Sequence, residues 1–297
     1  MKPSLTVDQQ VALMSTRNLA IADEAECARF LAANNYYRFS GYARYFQIAP
    51  RGGDDDFRPG TTFDEIRGVY EADEALRTAL VKPLASAELL LRTHTASAIA
   101  HIHGPSGRYL EQRFYTDAVD REPTVDAVLR DITRSRERHV LHFRTAADGA
   151  PDFRDLPVWS AIEALSFGTL SRCIERGAGA SLADDVATSL GVAKAGFAYR
   201  VRTLVYLRNR CAHHSRLWHH SIIDAGPTPN NVRAKAKRKI GQFHPRSVLD
   251  AIASLDDLIV RGQAGVPALP HIAGQHRPES VFWQGLASPR TPDDHRV

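Results

Sequence analysis

The sequence predicts an all-α protein, on three observations. Apolar residues recur at three- and four-residue intervals over most of the chain, no stretch alternates convincingly between apolar and polar residues, and the breaks fall at clusters of Gly, Pro, Asn and Asp. No internal repeat is visible.

Val7 to Thr16 and Ala22 to Asn34 read as short helices. Thr6 and Asp23 can cap them, because their side-chain oxygens accept the orphan amides of a first turn. Tyr36, Tyr37, Phe39, Tyr42, Tyr45 and Phe46 crowd into the next span. They form either the core of a small helical subdomain or, with Arg38 and Arg44, a stacking surface for unpaired bases. Pro50 to Gly60 is dense in turn formers and is expected to be a loop. Thr62 followed by Glu65 has the spacing of a capping box for a helix running from Phe63 to about His101, with Pro83 expected to kink or divide it.

Beyond a turn at Gly104-Pro105-Ser106-Gly107, Val125 to Phe143 reads as a charged helix and Ala146 to Pro157 as a loop. Trp159, Ile162, Leu165 and Leu170 follow a helical pattern interrupted at Gly168. Ser181 to Leu190 is a short helix closed by Gly191, and Ala193 to Trp218 and Val248 to Val260 are two more. Asn230 to Gln242 carries Arg233, Lys235, Lys237, Arg238 and Lys239 with no acidic residue, so it is either a solvated loop or a segment that holds RNA phosphates. From Pro267 onward, Pro, Gly, His and charge predominate, as in a poorly ordered tail. The expected division is an N-terminal helical region over 1–60, a helical domain over 61–263 and a tail over 264–297.

At 297 residues the chain can bury a sizeable core in one large or two modest domains. Its 43% hydrophobic and 24% charged residues are ordinary for a globular protein, and a net charge of +4 suits a polyanionic partner without demanding one. Three well-separated cysteines, Cys27, Cys173 and Cys211, argue against a disulfide framework and for a reducing compartment. The first residues lack the apolar core of a signal peptide and no run approaches a membrane span, so a cytoplasmic protein without membrane contact is expected. There is no phosphate-binding Gly-rich loop, dinucleotide fingerprint or nucleophile elbow. Cys211, His213, His214, His219 and His220 are close in sequence, but no compact set elsewhere completes four ligands, so neither metal nor cofactor is expected.

The chemistry concentrates in Leu207-Arg208-Asn209-Arg210-Cys211-Ala212-His213, at the end of an apolar pattern set by Phe197, Val201, Leu204 and Val205. Arg208 continues the apolar row, where a charge is costly unless it is paired or lines a site. Metal-independent cleavage of RNA needs a group that moves a proton and a fixed cation that offsets charge on the phosphorane. His213 and Arg208 fit those roles, since an imidazole titrates near neutrality and a guanidinium presents a fork of donors to phosphate. The plainer alternative is a snorkelling Arg and a satisfied core His. Five residues on a helix separate side chains by about 140°, so the pair converges only through distortion or with a second copy from a partner chain. Asn209, four before His213, could orient the imidazole. Glu88 and Arg92 have the spacing of an ion pair along one helix; alternatively Glu88, Arg92 or Glu163 faces the motif helix and orients His213 or Arg208.

An Arg, a polar residue, a short spacer and a His resemble the motif of the HEPN superfamily. The wider chain resembles its Abi-like (abortive infection) branch, through Lys2-Pro3-Ser4-Leu5-Thr6 with Gln9-Gln10, Asn35-Tyr36-Tyr37-Arg38-Phe39-Ser40-Gly41-Tyr42, Phe63-Asp64-Glu65-Ile66, Glu88-Leu89-Leu90-Leu91-Arg92-Thr93, Pro157 to Glu163 and Leu165 to Ser171. It departs at His219, where that branch often has Asn after the Trp. The resemblance implies a HEPN-like helical bundle acting as a metal-independent endoribonuclease of an abortive-infection system. It would use the 2′-hydroxyl as internal nucleophile, with Arg208, Asn209 and His213 as the catalytic set. A single motif copy implies a homodimer that pairs two. RNA is the expected partner, with room for a regulatory RNA or an antitoxin. The alternative is a non-catalytic RNA-binding or interaction module.

Overall fold

The computed structural model describes residues 4–147, 150–223, 226 and 228–292. The resemblance at Lys2-Pro3, part of the Ala146 to Pro157 segment and the last five residues of the expected tail lie outside them. The fold is mostly helical, as the periodicity predicts.

Thr6 closes a full capping box with Gln9 at the head of α1 (Val7–Thr16), and Asp23 caps α2 (Glu24–Asn34). Asn35, at φ 62°, breaks the chain into α3 (Tyr36–Ala43). Four of the crowded aromatics, Phe39, Tyr42, Tyr45 and Phe46, enter the core, whereas Tyr37 is 86% exposed. A short antiparallel hairpin, β1 (Gln47–Ala49) and β2 (Asp54–Phe57), occupies the segment expected to be a loop. Strands of three or four residues are too short to show alternation in the sequence.

The organising element is α4 (Phe63–His103), 41 residues long and capped by Thr62, whose hydroxyl accepts the Glu65 amide. It runs through Pro83 as one helix, contrary to the expected division. An interior proline costs about 3 kcal/mol. Leu80, Leu84, Ala87 and Leu91 are essentially fully buried around it, and each leucine contributes about 1.5–3 kcal/mol, which outweighs the lost hydrogen bond.

The predicted charged helix divides into α5 (Thr124–Arg134) and the single turn α6 (Arg138–Leu141), because Ser135 is extended. A second hairpin follows, β3 (Thr145–Ala147) with β4 (Ala150–Asp152). The next break falls at Leu165-Ser166 rather than Gly168: α7 (Val158–Ala164) ends there, and Ser166 caps α8 (Phe167–Arg176) by accepting the Thr169 amide. After α9 (Leu182–Ser189), Gly196 takes a left-handed conformation and starts α10 (Phe197–Ala212), which packs on α4, α8, α9 and α12 (Val248–Arg261).

Two segments expected to be irregular are helical instead. The basic segment is helix α11 (Asn230–Ile240), consistent with the high helix propensity of its Ala, Lys and Arg residues, and it ends at Gly241. The expected loose tail carries α13 (Leu269–Gly274) and α14 (Val281–Ala287), with Leu269, Ile272, Phe282, Trp283 and Leu286 buried. Its Pro-, Gly- and His-rich composition hides a few anchors spaced to fit one groove. Gly285 is one of them: a Cβ there would fall 2.0 Å from the Trp218 indole nitrogen, so α14 can close over Trp218 only with glycine at that position. Among the described residues no helix is long and apolar enough to cross a membrane.

Candidate functional site

The last turn of α10 presents the motif. Phe197, Val201, Leu204, Leu207 and Cys211 are its buried face. Burial pushes the Cys211 thiol up to about 12, so it is an inert core side chain. Arg208 lies at the edge of this face, 33% exposed, with its guanidinium over the Phe167 ring at 5.4 Å. Its Nη1 donates to Asn209 Oδ1 at 2.9 Å, and its Nε lies 3.4 Å from Glu88 Oε2, within ion-pair range but not aligned as a hydrogen bond.

Behind Arg208 stands a relay of fixed groups. Glu88 Oε1 accepts from Arg92 Nη2 at 2.7 Å, and Arg92 in turn donates to the Ile162 carbonyl and, at 2.8 Å, to that of Leu165. These carbonyls lie at the C-terminal end of α7, where the helix leaves acceptors unpaired and a cation is favoured. Glu88 and Arg92 pair along α4, and of the two only Glu88 approaches the motif helix, at Arg208, while Arg92 turns to the end of α7. Glu163 differs. Its side chain is exposed, and only its backbone carbonyl approaches Arg92, at 3.4 Å.

His213 is the residue after the helix, at φ −93°, with its amide bonded to the Asn209 carbonyl. The side chain is exposed, and no hydrogen bond to its ring is present among the described residues. Asn209 points its amide oxygen at Arg208 rather than at His213, so its orienting role falls on the cation. Within one chain Arg208 faces α4 and α8, while His213 lines a cleft of about 610 Å³ against the α2–α3 junction with Asn35, Tyr37 and Arg38. Arg208 does not line this cleft.

The segment that leaves the motif is held by Arg38 and Arg210 and by Asp73, which the sequence reading did not single out. His214 takes a left-handed backbone, φ 53°, and its carbonyl accepts from Arg38. Arg210 donates to the Arg216 carbonyl, and Asp73, fully buried on α4, accepts the amides of Leu217 and Trp218, the Tyr42 hydroxyl at 2.6 Å and the Arg77 guanidinium. Burial pushes the Asp73 carboxyl up, against the pull of Arg77 and the other donors. The signal for Asp73 was present: an acid inside the apolar row of Val69, Tyr70, Leu76 and Leu80 demands a partner.

The neighbouring histidines disperse. His219, at φ 51°, is buried and stacks on Tyr45 at 4.4 Å, while His220 lies 2.6 Å from the Tyr206 hydroxyl. Burial, then Arg210 and Arg216, lowers His220 to about 4, leaving it neutral at pH 7. Among the described residues, no group of three or more His, Cys, Asp or Glu side chains is placed to hold a metal ion. On α11, Arg233 is held by both oxygens of Asp250, at 2.9 and 3.1 Å, whereas Lys235, Arg238 and Lys239 are exposed and Lys237 lies over Phe243. The chain approaches α11 with Gly226 pressed against Tyr199 and Arg200, at the far end of α10 from the motif, about 20 Å along the axis.

No curated protein and no solved structure matches this chain. A family model, Abi-like protein, matches residues 29–219, from the middle of α2 to the residue after Trp218. That match covers more than half of the sequence and takes in Glu88, Arg92, Arg208 and His213: the chain belongs to the Abi-like protein family.

Proposed function

We propose that this protein is an endoribonuclease of the abortive-infection type, cutting RNA by internal attack without a metal in the reaction. The observation that carries the proposal is the last turn of α10, where a half-buried Arg208 braced by Glu88 and Asn209 is followed by an exposed, unengaged His213. Membership of the Abi-like family supports a role in abortive infection. In the reaction the 2′-oxygen bonds to phosphorus as the bond to the 5′-oxygen breaks, giving a cyclic phosphate and a free 5′-hydroxyl. His213 takes the 2′-hydroxyl proton or supplies one to the leaving oxygen, and Arg208 offsets the charge on the phosphorane.

The divergence of Arg208 and His213 around α10 favours a site assembled from two chains. A two-fold axis beside the last turn of α10 sets the Arg208 of one chain opposite the His213 of its partner, so the enzyme is a homodimer. The test is to incubate the purified protein with RNA in EDTA beside His213→Ala, and to measure its mass by sedimentation at the assay concentration. Metal-dependent cleavage would overturn the mechanism, and full activity in a strict monomer would overturn the shared site.

A further inference from the structure

We infer that the cleft between α11 and α12 binds a small organic anion, an apolar body that carries a carboxylate or phosphate head, with Lys235 and Lys239 holding the head. The inference goes beyond the ribonuclease proposal and does not rest on it. The cleft is lined by residues between Asn231 and Pro270, past the end of the family match at residue 219. It holds about 310 Å³, the size of a small-molecule site, where close-packed helices would leave little more than the space of a water. Its walls carry small side chains, Ala236 on α11 and Ala253 on α12, where larger ones would interlock and close it.

The α11 wall offers two kinds of surface side by side. Val232, Ala236 and Ile240 recur one turn apart as an apolar row, and Lys235 and Lys239, also one turn apart, are close enough to share one head group. Across the cleft Val260, 47% exposed, extends the apolar surface, and Leu269 and Pro270 of α13 add to it. The acids of the lining are already engaged. Asp257 is paired at 2.9 Å with both Arg200 and Arg261, and Asp256 accepts the Ala268 and Leu269 amides at 2.7 and 2.9 Å and feels the charge of Lys239. Lys235 and Lys239 are exposed and make no ion pair or hydrogen bond among the described residues. Four cations, Arg200, Lys235, Lys239 and Arg261, thus stand against two carboxylates at this site, and the balance selects an anion. An RNA backbone supplies phosphates but no apolar body to cover Val232, Ala236 and Val260, so the cleft favours the small amphipathic anion.

The test is isothermal titration calorimetry of the full chain with phenylbutyrate, phenyl phosphate, phenylbutylamine and inorganic phosphate. At least one of the two amphipathic anions is expected to bind, and the tighter of them identifies the head group. The amine, with the same body as the acid, is expected to bind at least about tenfold more weakly than the acid, and inorganic phosphate, with no body, to give no heat of binding. Lys235→Gln with Lys239→Gln, changes at exposed side chains, is expected to weaken the tighter anion about tenfold, the effect of two exposed charge contacts, and to remove the salt dependence of its binding. Ala236→Leu fills the cleft from a half-buried position and is expected to abolish binding with the melting temperature retained. The site is overturned if neither anion binds the wild type, if acid and amine bind alike, or if the lysine variant binds as the wild type does. Undiminished binding in a folded Ala236→Leu protein would overturn it as well. A wild type that takes up the anion but cuts no RNA in EDTA leaves the cleft standing and overturns only the ribonuclease.

Discussion

Asp73 and Glu88 lie on the same helix, about 22 Å apart along its axis, and each holds one flank of the same motif. Asp73 is completely enclosed and receives Arg77, the Tyr42 hydroxyl and the amides of Leu217 and Trp218. Glu88 is 19% exposed and divides itself between a firm bond to Arg92 and a long, poorly aligned approach to Arg208. The first arrangement is saturated and leaves nothing to offer a ligand. The second approaches a guanidinium without saturating it, and the Arg208 side chain stays one-third exposed. Under the proposed function, burial and completeness of partnership distinguish an ionic group that builds the fold from one that prepares a reaction.

The largest effect should come from breaking the saturated end. Asp73→Ala strands the buried Arg77 and two amides, and removing one partner of a buried pair costs about 3–5 kcal/mol. Urea unfolding should show that loss directly, with cleavage falling only as the folded fraction falls. A midpoint within error of wild type would remove the distinction drawn between the two carboxylates.

At the open end the effects should appear in rate and not in stability. His213→Ala should lower cleavage at least about a hundredfold, the usual contribution of a general acid or base, with the melting temperature unchanged because the ring is exposed and unengaged. Glu88→Gln should lower kcat about tenfold with little change in KM. The pH profile should stay where it is, and Glu88→Asp should restore part of the loss by restoring the charge. Equal losses in Glu88→Gln and Glu88→Asp, accompanied by a lower melting temperature, would make Glu88 a structural group like Asp73.

The two ends were also unequally legible. Arg208, His213 and the Glu88–Arg92 pair stand out in sequence because their spacing and chemistry are unusual for an apolar helix face. Asp73 stands in the apolar row of α4 and so demands partners, but the sequence does not say that two of them are the amides of Leu217 and Trp218, far along the chain. The same limit hid α14, whose Val281 carbonyl and Gly285 acquire meaning only against Trp218. The basic run of α11 is conspicuous in sequence, but its Arg233 is tied to Asp250 in space. Periodicity reports which face is buried. It does not report which distant groups meet.

The smallest effect concerns the segment downstream of Asp73, where His220 tests how firmly the closed end is shut. Its imidazole is held near 4, against an ordinary value of 6.5, by burial and then by Arg210 and Arg216. Above pH 6.5 both the folded and unfolded chains carry it neutral, so its contribution to stability is fully present there. As the pH falls from 6.5 toward 4, the unfolded chain takes up a proton that the folded one refuses, and that contribution is lost. His220→Gln removes the difference in proton uptake, so its unfolding free energy should decline less steeply than that of the wild type between pH 6.5 and 4, with the two curves parallel above pH 7. Identical slopes through the acid range would mean that water reaches the ring freely, and the segment following the motif would then be open at both ends of α4.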